Sequence, residues 1–219
     1  MNLRSLFAKP MFRMLAVSSL SLSLLMPGCS GPASNGRGAD SAEALKYRQT
    51  MRKLWEDHVT WTRLVIVSTA AGLPDLEPTT QRLLQNQVDL GNAIKPYYGD
   101  EAGNRLTELL RDHIVGAASI LTAAKGKDAA GLETAKQSWY ANADTIATFL
   151  STANPTAWPQ PDMQAMMREH LDLTLAEAVD QLEGRYPESV AGYDKVHDAI
   201  LTMADMLSSG VIKQFPKQF

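Results

Sequence analysis

Three of the four histidines in the chain close the same short pattern, in which an apolar residue, two variable residues and an acid precede the imidazole. The three copies are Leu54–His58, Leu109–His113 and Met166–His170, so the histidines are 55 and 57 residues apart. Spacing this regular predicts an internal threefold repeat with one copy in each unit. Because imidazole binds transition metals and can transfer protons, these histidines are the first candidates for chemistry.

A second set of polar residues recurs with the same period. Asn86, Asn142 and the fourth histidine, His197, are 56 and 55 residues apart, each on the apolar side of a helical pattern. Every histidine of the first set and its follower lie at nearly equal distances from an intervening glycine. The glycines are Gly72, Gly126 and Gly184. Residues equally distant from the turn of an antiparallel helical hairpin lie at the same height. We therefore expect all six side chains in one layer near the middle of a bundle.

The elements that must position these residues are predicted to be helices. From Ser41 onward apolar residues recur at helical spacing, and no segment alternates as a half-buried strand does. The predicted helices cover about 41–71, 78–97, 101–125, 129–152, 161–183 and 187–209. Glycine or proline follows each of them, at Gly72, Gly99, Gly126, Pro155, Gly184 and Gly210. Short connections of this kind predict an all-α, up-down antiparallel bundle of six helices, built as three hairpins of about 55 residues.

Two interpretations of the polar layer stay open. Buried polar groups are costly unless paired, so the layer can be a hydrogen-bonded one that sets helix register. Alternatively it binds a small ligand or a transition metal such as zinc, iron or copper, since bundle cores hold metals between facing helices. Three acids directly precede histidines and point about 100° away, toward a neighbouring helix, where they could orient an imidazole or bind the ion. These acids are Asp57, Asp112 and Glu169.

Two further sets of residues could form a ligand site, but their spacing is more typical of residues that pack in the core. Thioether ligands for copper could come from Met163, Met166, Met167, Met203 and Met206. A haem or small-molecule pocket could be lined by Trp55, Trp61, Trp139 and Tyr140. Both sets follow apolar helical periodicity, so we expect them to pack in the core. Because the sequence has no phosphate-binding loop and no nucleophile elbow, we predict a non-catalytic binding or envelope-structural protein. The alternative is a metalloenzyme that uses the same histidine and carboxylate layer.

The first 28 residues have the features of an export signal. Three cations precede an apolar run, Met14–Met26, that is too short to cross a bilayer. The cations are Arg4, Lys9 and Arg13. The run leads to Gly28 and to Cys29, the one cysteine of the chain. This segment resembles a bacterial lipoprotein signal, in which the cysteine becomes the new amino terminus and carries the lipid. The resemblance implies that Cys29 is the lipid attachment site.

The chain therefore divides into a signal peptide at 1–28, the lipidated cysteine and a flexible tether at 29–40, and a single helical domain at 41–219. Removal of the signal changes 21 basic and 24 acidic residues to 18 and 24, which argues against a nucleic-acid partner. A single cysteine excludes an internal disulfide and every multi-cysteine metal site. We expect the domain outside the cytoplasm, anchored to the cell membrane or the outer membrane, with the membrane as its partner. No protein partner is predicted.

Parts of the domain resemble a group of uncharacterised bacterial secreted or lipid-anchored helical proteins. The resemblance rests on Leu54–Arg63, Gln85–Ile94 and Ile212–Pro216. Members of the group sometimes carry names such as glycosyltransferase or acetylglutamate kinase. This sequence has neither a nucleotide-binding strand–loop–helix unit nor alternating strands and helices, so it does not support those names. The resemblance implies an extracytoplasmic helical protein and transfers no catalytic residue.

We predict that Cys29→Ser abolishes lipid labelling of the chain. In the lipoprotein family that the signal resembles, the cysteine thiol carries the lipid, and a serine hydroxyl does not replace it. Growth with a radiolabelled fatty acid, followed by gel autoradiography, measures the labelling. Ser34→Ala, in the same tether, is the matched control and should label like the wild type. Label that persists in Cys29→Ser would refute the lipid anchor.

Overall fold

The computed structural model describes residues 41–219, so the expectations for the signal peptide, Cys29 and the tether lie outside the described residues. The regular elements of this part of the chain are all α-helices. They are α1 (Ala42–Ala71), α2 (Leu76–Lys125), α3 (Ala129–Ala153), α4 (Gln160–Leu182) and α5 (Tyr186–Gln214). The all-α prediction is confirmed. Within residues 41–219 no helix combines the length and apolar character needed to cross a membrane.

The structure has five helices where the sequence predicted six, because α2 combines two of the predicted segments. Its backbone leaves helical geometry at Gly99, where φ is 83° and ψ is 170°. A residue without Cβ adopts this positive φ at little cost. The two halves of α2 lie side by side, since the Thr107 hydroxyl donates to the carbonyl of Gln87 at 3.4 Å. In a straight helix these residues would be about 30 Å apart. Helix α2 therefore folds back on itself at Gly99.

The helices enclose a common apolar core. Each packs against the next in chain order, and α5 packs against α1, which closes the ring. Four of the predicted ends are observed. Gly72 directly follows α1 and Gly126 directly follows α2, while Pro155 and a left-handed Gly184 lie two residues beyond α3 and α4. The prediction that Gly210 ends the last helix is wrong, because α5 continues to Gln214. Gly210 serves close packing instead, as a Cβ there would lie 2.3 Å from the indole nitrogen of Trp158.

A buried ion pair joins α1 to α4 and α5. Arg63 Nη1 donates to Glu177 Oε1 at 2.8 Å, and the Glu177 side chain is 1% exposed. Arg63 also donates to Ser189 on α5, whose hydroxyl donates to Gln181 Oε1 at 2.9 Å. Burial raises the pKa of Glu177, while the guanidinium of Arg63 acts in the opposite direction. Removing one partner of such a pair leaves a buried charge without compensation, so this contact ties three helices together.

Aromatic rings close one end of the bundle. Tyr47 near the start of α1 packs against Tyr97 at a centroid distance of 5.0 Å and against Phe219 at 5.3 Å. Tyr97 stacks on Phe219 at 5.1 Å. Phe219 is buried, although it lies beyond the last helix. Residues near both ends of the domain therefore meet in one cluster.

We predict that Gly91→Ala lowers the free energy of unfolding by about 1–3 kcal/mol, the usual cost of overpacking. A Cβ at Gly91 would lie 2.5 Å from the carbonyl oxygen of Gly103 and even closer to Thr107, across the fold of α2. Gly192→Ala is the matched control, because its Cβ would meet Glu177 at an ordinary 3.4 Å. Alanine also favours helix over glycine, so the control should be neutral or slightly stabilising. Urea denaturation compares them, and equal effects would contradict the folded-back α2.

Candidate functional site

Three histidines of the repeated pattern lie side by side in the centre of the core. The ring centroids of His58 and His170 are 5.9 Å apart, and those of His113 and His170 are 6.2 Å apart. The rings come from α1, from the second half of α2 and from α4, and each residue is at most 6% exposed. The structure thus brings together five of the six residues expected in one layer, since Asn142 bonds to the ring of His113 and Asn86 lies beside His58. We call His58, His113 and His170 the histidine cluster.

The two asparagines of the expected layer bond to the helices that carry the histidines. Asn86 Nδ2 donates to the carbonyl of Leu54 at 2.9 Å, and Asn142 Nδ2 donates to the carbonyl of Leu109 at 3.1 Å. Each carbonyl lies four residues before the histidine of the same unit, so the two bonds occupy equivalent places in the repeat. Because that carbonyl also accepts the helical N–H of the histidine, the asparagine ties its own helix to the histidine's turn.

The ring of His113 is held by a hydrogen bond at Nδ1 and by a stacked tryptophan. Its Nδ1 lies 3.0 Å from Asn142 Oδ1. Since the amide nitrogen of Asn142 donates to Leu109, its oxygen accepts from the ring, and His113 Nδ1 carries the proton. The lone pair of this imidazole is therefore on Nε2. Trp139 stacks on the ring at 5.2 Å and donates its indole N–H to the backbone carbonyl of His113 at 3.0 Å.

The other two imidazoles lack the partner that His113 has. In the first unit Gln87 Nε2 donates to Asn86 Oδ1 at 3.2 Å, and both side chains raise the pKa of His58 against the larger effect of burial, although neither makes a hydrogen bond to Nδ1 of that ring. In the third unit no asparagine stands opposite His170. The Nδ1 atoms of both rings are buried and find no hydrogen-bond partner among residues 41–219. An unpaired buried polar atom costs about 1–3 kcal/mol, so a hydrogen-bonded layer explains only part of the cluster.

The histidine cluster borders a narrow cavity along the bundle axis. On α1 the cavity wall extends from Tyr47 to His58, about 16 Å at the rise of a helix. The cavity volume is about 40 Å³, and its walls are almost wholly apolar. This space suits one water molecule or one ion and is far below the roughly 150 Å³ that holds benzene. Three methionines also line it, namely Met51, Met167 and Met203.

His197 does not belong to the cluster. Its Nε2 lies 3.1 Å from Glu56 Oε1, and its side chain is 29% exposed. At this level α5 turns Val196 and Ile200 inward, with exposures of 2% and 1%. The residue after Val196 points about 100° away from it and therefore toward the edge of the helix. The expectation that all four histidines share one layer is wrong for His197.

The acids that precede the histidines do not approach the cluster. Asp112 and Glu169 are exposed, and Asp57 is partly buried at the surface. Asp57 pairs with Lys53 at 2.5 Å and with Arg82 at 3.7 Å. The expectation that Asp112 and Glu169 turn toward a neighbouring helix is wrong. Each acid directly precedes a buried histidine, and the rotation of about 100° between the two residues turns the acid toward solvent.

The sequence analysis missed a buried polar residue beside the expected layer, as it missed the buried Glu177. Gln87 is fully buried because the second half of α2 covers the first, and its Nε2 also donates to the carbonyl of Leu83 at 2.8 Å. It directly follows Asn86, so its burial depends on the fold of α2 rather than on one helical stripe. The position of Gln87 next to Asn86 is the one feature of the sequence that could have indicated its burial.

No group of three or more histidine, cysteine, aspartate or glutamate side chains within residues 41–219 is arranged to hold a metal ion. This finding covers sites built from imidazole and carboxylate alone, such as those of catalytic zinc and of carboxylate-bridged iron. It does not cover methionine sulfur. The donors that remain are therefore the unpaired imidazole nitrogens and the thioethers on the cavity wall.

Burial keeps the histidine cluster uncharged at neutral pH. It lowers the pKa of His58 to about 3 and the pKa of His113 to about 4. Burial also lowers the pKa of His170 well below its usual value, and a charge on either neighbouring ring lowers it further. None of the described residues on the cavity wall is an acid, a lysine or an arginine. The cluster therefore presents neutral imidazoles with lone pairs in an uncharged cavity.

Comparison with known proteins supplies no identification. No protein-family model, no curated protein and no solved structure matches the chain. The similarity of Leu54–Arg63 and the other two segments to secreted helical proteins therefore stays a prediction. What the site can do follows from its atoms. These are the unpaired Nδ1 atoms of two neutral imidazoles, a third imidazole bonded to Asn142, and three further buried donors on the same wall without a partner among residues 41–219, namely Tyr47 Oη, Trp55 Nε1 and Trp158 Nε1. The cavity beside them has room for one small species.

We predict that the free energy of unfolding falls as the pH drops from about 7 to about 4. Unfolded histidine binds a proton near pH 6.5, whereas the buried rings stay neutral, so the unfolded state binds more protons in this range. Stability is complete above about pH 6.5 and is lost by up to about 1.4 kcal/mol per pH unit for each histidine. Urea denaturation at several pH values measures the slope.

Variants separate this slope from the titration of carboxylates. His58→Gln should reduce the loss between about pH 6 and pH 4.5, since one proton uptake disappears from the unfolded state without a matching uptake in the folded one. His197→Gln, at the surface, should keep the wild-type slope. A slope that His58→Gln leaves unchanged would contradict a neutral, buried His58.

Proposed function

We propose that this protein is a lipid-anchored, extracytoplasmic, non-catalytic binding protein that takes a small ligand at the histidine cluster. The observation that carries the proposal is the pair of buried Nδ1 atoms, on His58 and His170, without a protein partner beside a cavity. Buried polar atoms in native proteins nearly always have a partner. A species from outside the chain is the simplest partner for two imidazoles at the same place.

Helix register does not require these two imidazoles. The side chains of Asn86 and Asn142 already tie neighbouring helical segments together through backbone carbonyls. An apolar side chain at His58 or His170 would fill the core without an unpaired nitrogen. A purely envelope-structural role therefore leaves the cost of both rings unexplained, whereas a binding role explains it.

The cavity also favours binding over catalysis. At about 40 Å³ it is much smaller than the roughly 300–1,000 Å³ of ordinary small-molecule sites. A metalloenzyme needs an open coordination position and space for substrate beside it. The carboxylates that such an enzyme could use, Asp112 and Glu169, are exposed at the surface.

We further propose that the domain is built as three helical hairpins joined up and down. The hairpins would be α1 with the first half of α2, the second half of α2 with α3, and α4 with α5. The break at Gly99 and the equivalent bonds of Asn86 and Asn142 support this division. The lipid anchor at Cys29 would hold the domain on a membrane through the tether 29–40. Stable attachment requires more than one acyl chain on the cysteine.

Replacement of both unpaired histidines tests the binding role. In the full chain, purified without a histidine tag and treated with chelator, we predict that His58→Leu/His170→Leu raises the free energy of unfolding by about 1–3 kcal/mol. The reason is that two buried atoms without a partner are removed while the core stays filled. Urea denaturation measures the difference.

The matched control is His197→Leu, which removes a half-exposed histidine paired with Glu56 and should change stability by no more than about 0.5 kcal/mol. A double variant that is less stable than the chelator-treated wild type would show that the two rings serve structure. That result would overturn the proposed binding role.

A further inference from the structure

The ligand class can be narrowed from the donors around the cavity. Met203 of α5 lines it together with His58 and His170. A thioether and a neutral imidazole are soft or intermediate donors without charge, and thioether sulfur selects copper(I) among the biological first-row metals. All three residues are almost fully buried. The sequence pattern predicts Met203 as a core residue, and in the structure it also lines the cavity that the unpaired rings border.

The separation of the rings suits one shared ion. Metal–nitrogen bonds of about 2 Å place two imidazole centroids about 6 Å apart when their nitrogens face one another. The centroids of His58 and His170 are 5.9 Å apart. His113 is not included, because no three histidines within residues 41–219 are arranged to hold a metal ion, which leaves two imidazoles and a thioether. The search for metal sites within residues 41–219 covered groups of three or more histidine, cysteine, aspartate or glutamate side chains. The set proposed here has only two such side chains, so that finding does not exclude it.

The charge of the cavity favours a monovalent ion. None of the described residues that line it supplies a carboxylate or thiolate, so the ion keeps its whole charge in the core. The cost of burying an uncompensated charge rises steeply with that charge. Zinc and iron(II) would bring two charges, and copper(I) brings one.

A surface groove between α4 and α5 leads to the same residues. Its floor includes His170 and Met203, which also line the internal cavity. Two partly buried methionines, Met166 and Met206, stand along the groove, and the exposed carboxylate of Glu169 lies beside them. A soft cation can therefore pass from an acidic side chain to thioethers and then to the buried ring of His170. A metal site needs such an entry path.

We propose that His58, His170 and Met203 bind one copper(I) ion, delivered through the groove of Met166, Met206 and Glu169. The inference rests on the proposed binding function and names its ligand. The protein then acts as an extracytoplasmic copper(I) carrier or reservoir. No bond is made or broken in this step other than the coordinate bonds to the ion.

Anaerobic titration of the full chain with copper(I), in competition with bicinchoninate, tests the site. We expect one copper(I) per chain, and an affinity reduced by more than about tenfold in His170→Leu and in Met203→Leu. Met163→Leu and His197→Leu are the matched controls, because Met163 is a buried methionine outside both the cavity and the groove, and both should bind like the wild type. Met203→Leu conserves volume, so circular dichroism should show a folded protein.

X-ray absorption of the copper-loaded wild type supplies a readout that needs no variant. Scattering from both nitrogen and sulfur neighbours is expected. Copper bound without sulfur, or bound equally well by Met203→Leu, would overturn the assignment, as would a preference for zinc(II). If no metal binds while His58→Leu/His170→Leu is still the more stable protein, copper is wrong and the binding function stands. If no metal binds and the double variant is less stable, the cluster holds a water molecule only, and both proposals fail.

Discussion

The hydrogen bond from an asparagine side chain to a backbone carbonyl of the facing helix is the constraint on which the centre of this bundle depends. Asn86 and Asn142 each make it, and each bond sets the height of one helix against the next. Apolar packing alone tolerates sliding, because any Leu fits nearly as well against its neighbour one turn further along. A buried amide has one satisfactory position, and it brings His58 and His113 to the same level.

The third unit is held differently, and this difference creates the site. Helices α4 and α5 have no asparagine at the corresponding position, and the buried pair of Arg63 and Glu177 ties them to α1 instead. His170 arrives beside the other rings without the amide that a complete unit would provide. His113, whose Nδ1 donates to Asn142, shows the same pattern when the asparagine of its own unit bonds to the ring. The cluster thus combines one imidazole whose Nδ1 is hydrogen-bonded with two whose Nδ1 has no partner within residues 41–219.

Much of this arrangement can be predicted from the sequence, and the failures have physical causes. Periodicity and glycine stops locate the helices to within a few residues, and the repeated pattern identifies the three clustered histidines. Equal spacing along the chain does not determine rotation about the helix axis, so His197 was placed in the core when Val196 and Ile200 occupy it. A glycine that ends a helix and a glycine needed for close packing cannot be told apart in the sequence. The pattern therefore predicts a helix end at Gly210, where the structure has close packing against Trp158. The stop at Gly99 predicts the fold-back of α2, but the helical periodicity alone does not show that Gln87, beside Asn86, is also covered by it.

The closure of the helical ring has a consequence for how the chain is made. Helix α1 lies between α2 and α5, and Tyr47 packs against Phe219, which belongs to the last residues of the chain. Helix α1 is the first of the helices in residues 41–219 to be synthesised, and it therefore cannot complete its packing until the residues around Phe219 have been made. The early helices can pair locally, but the finished domain waits for its own carboxyl end. This order of events delays completion of the fold until synthesis of the domain is nearly finished.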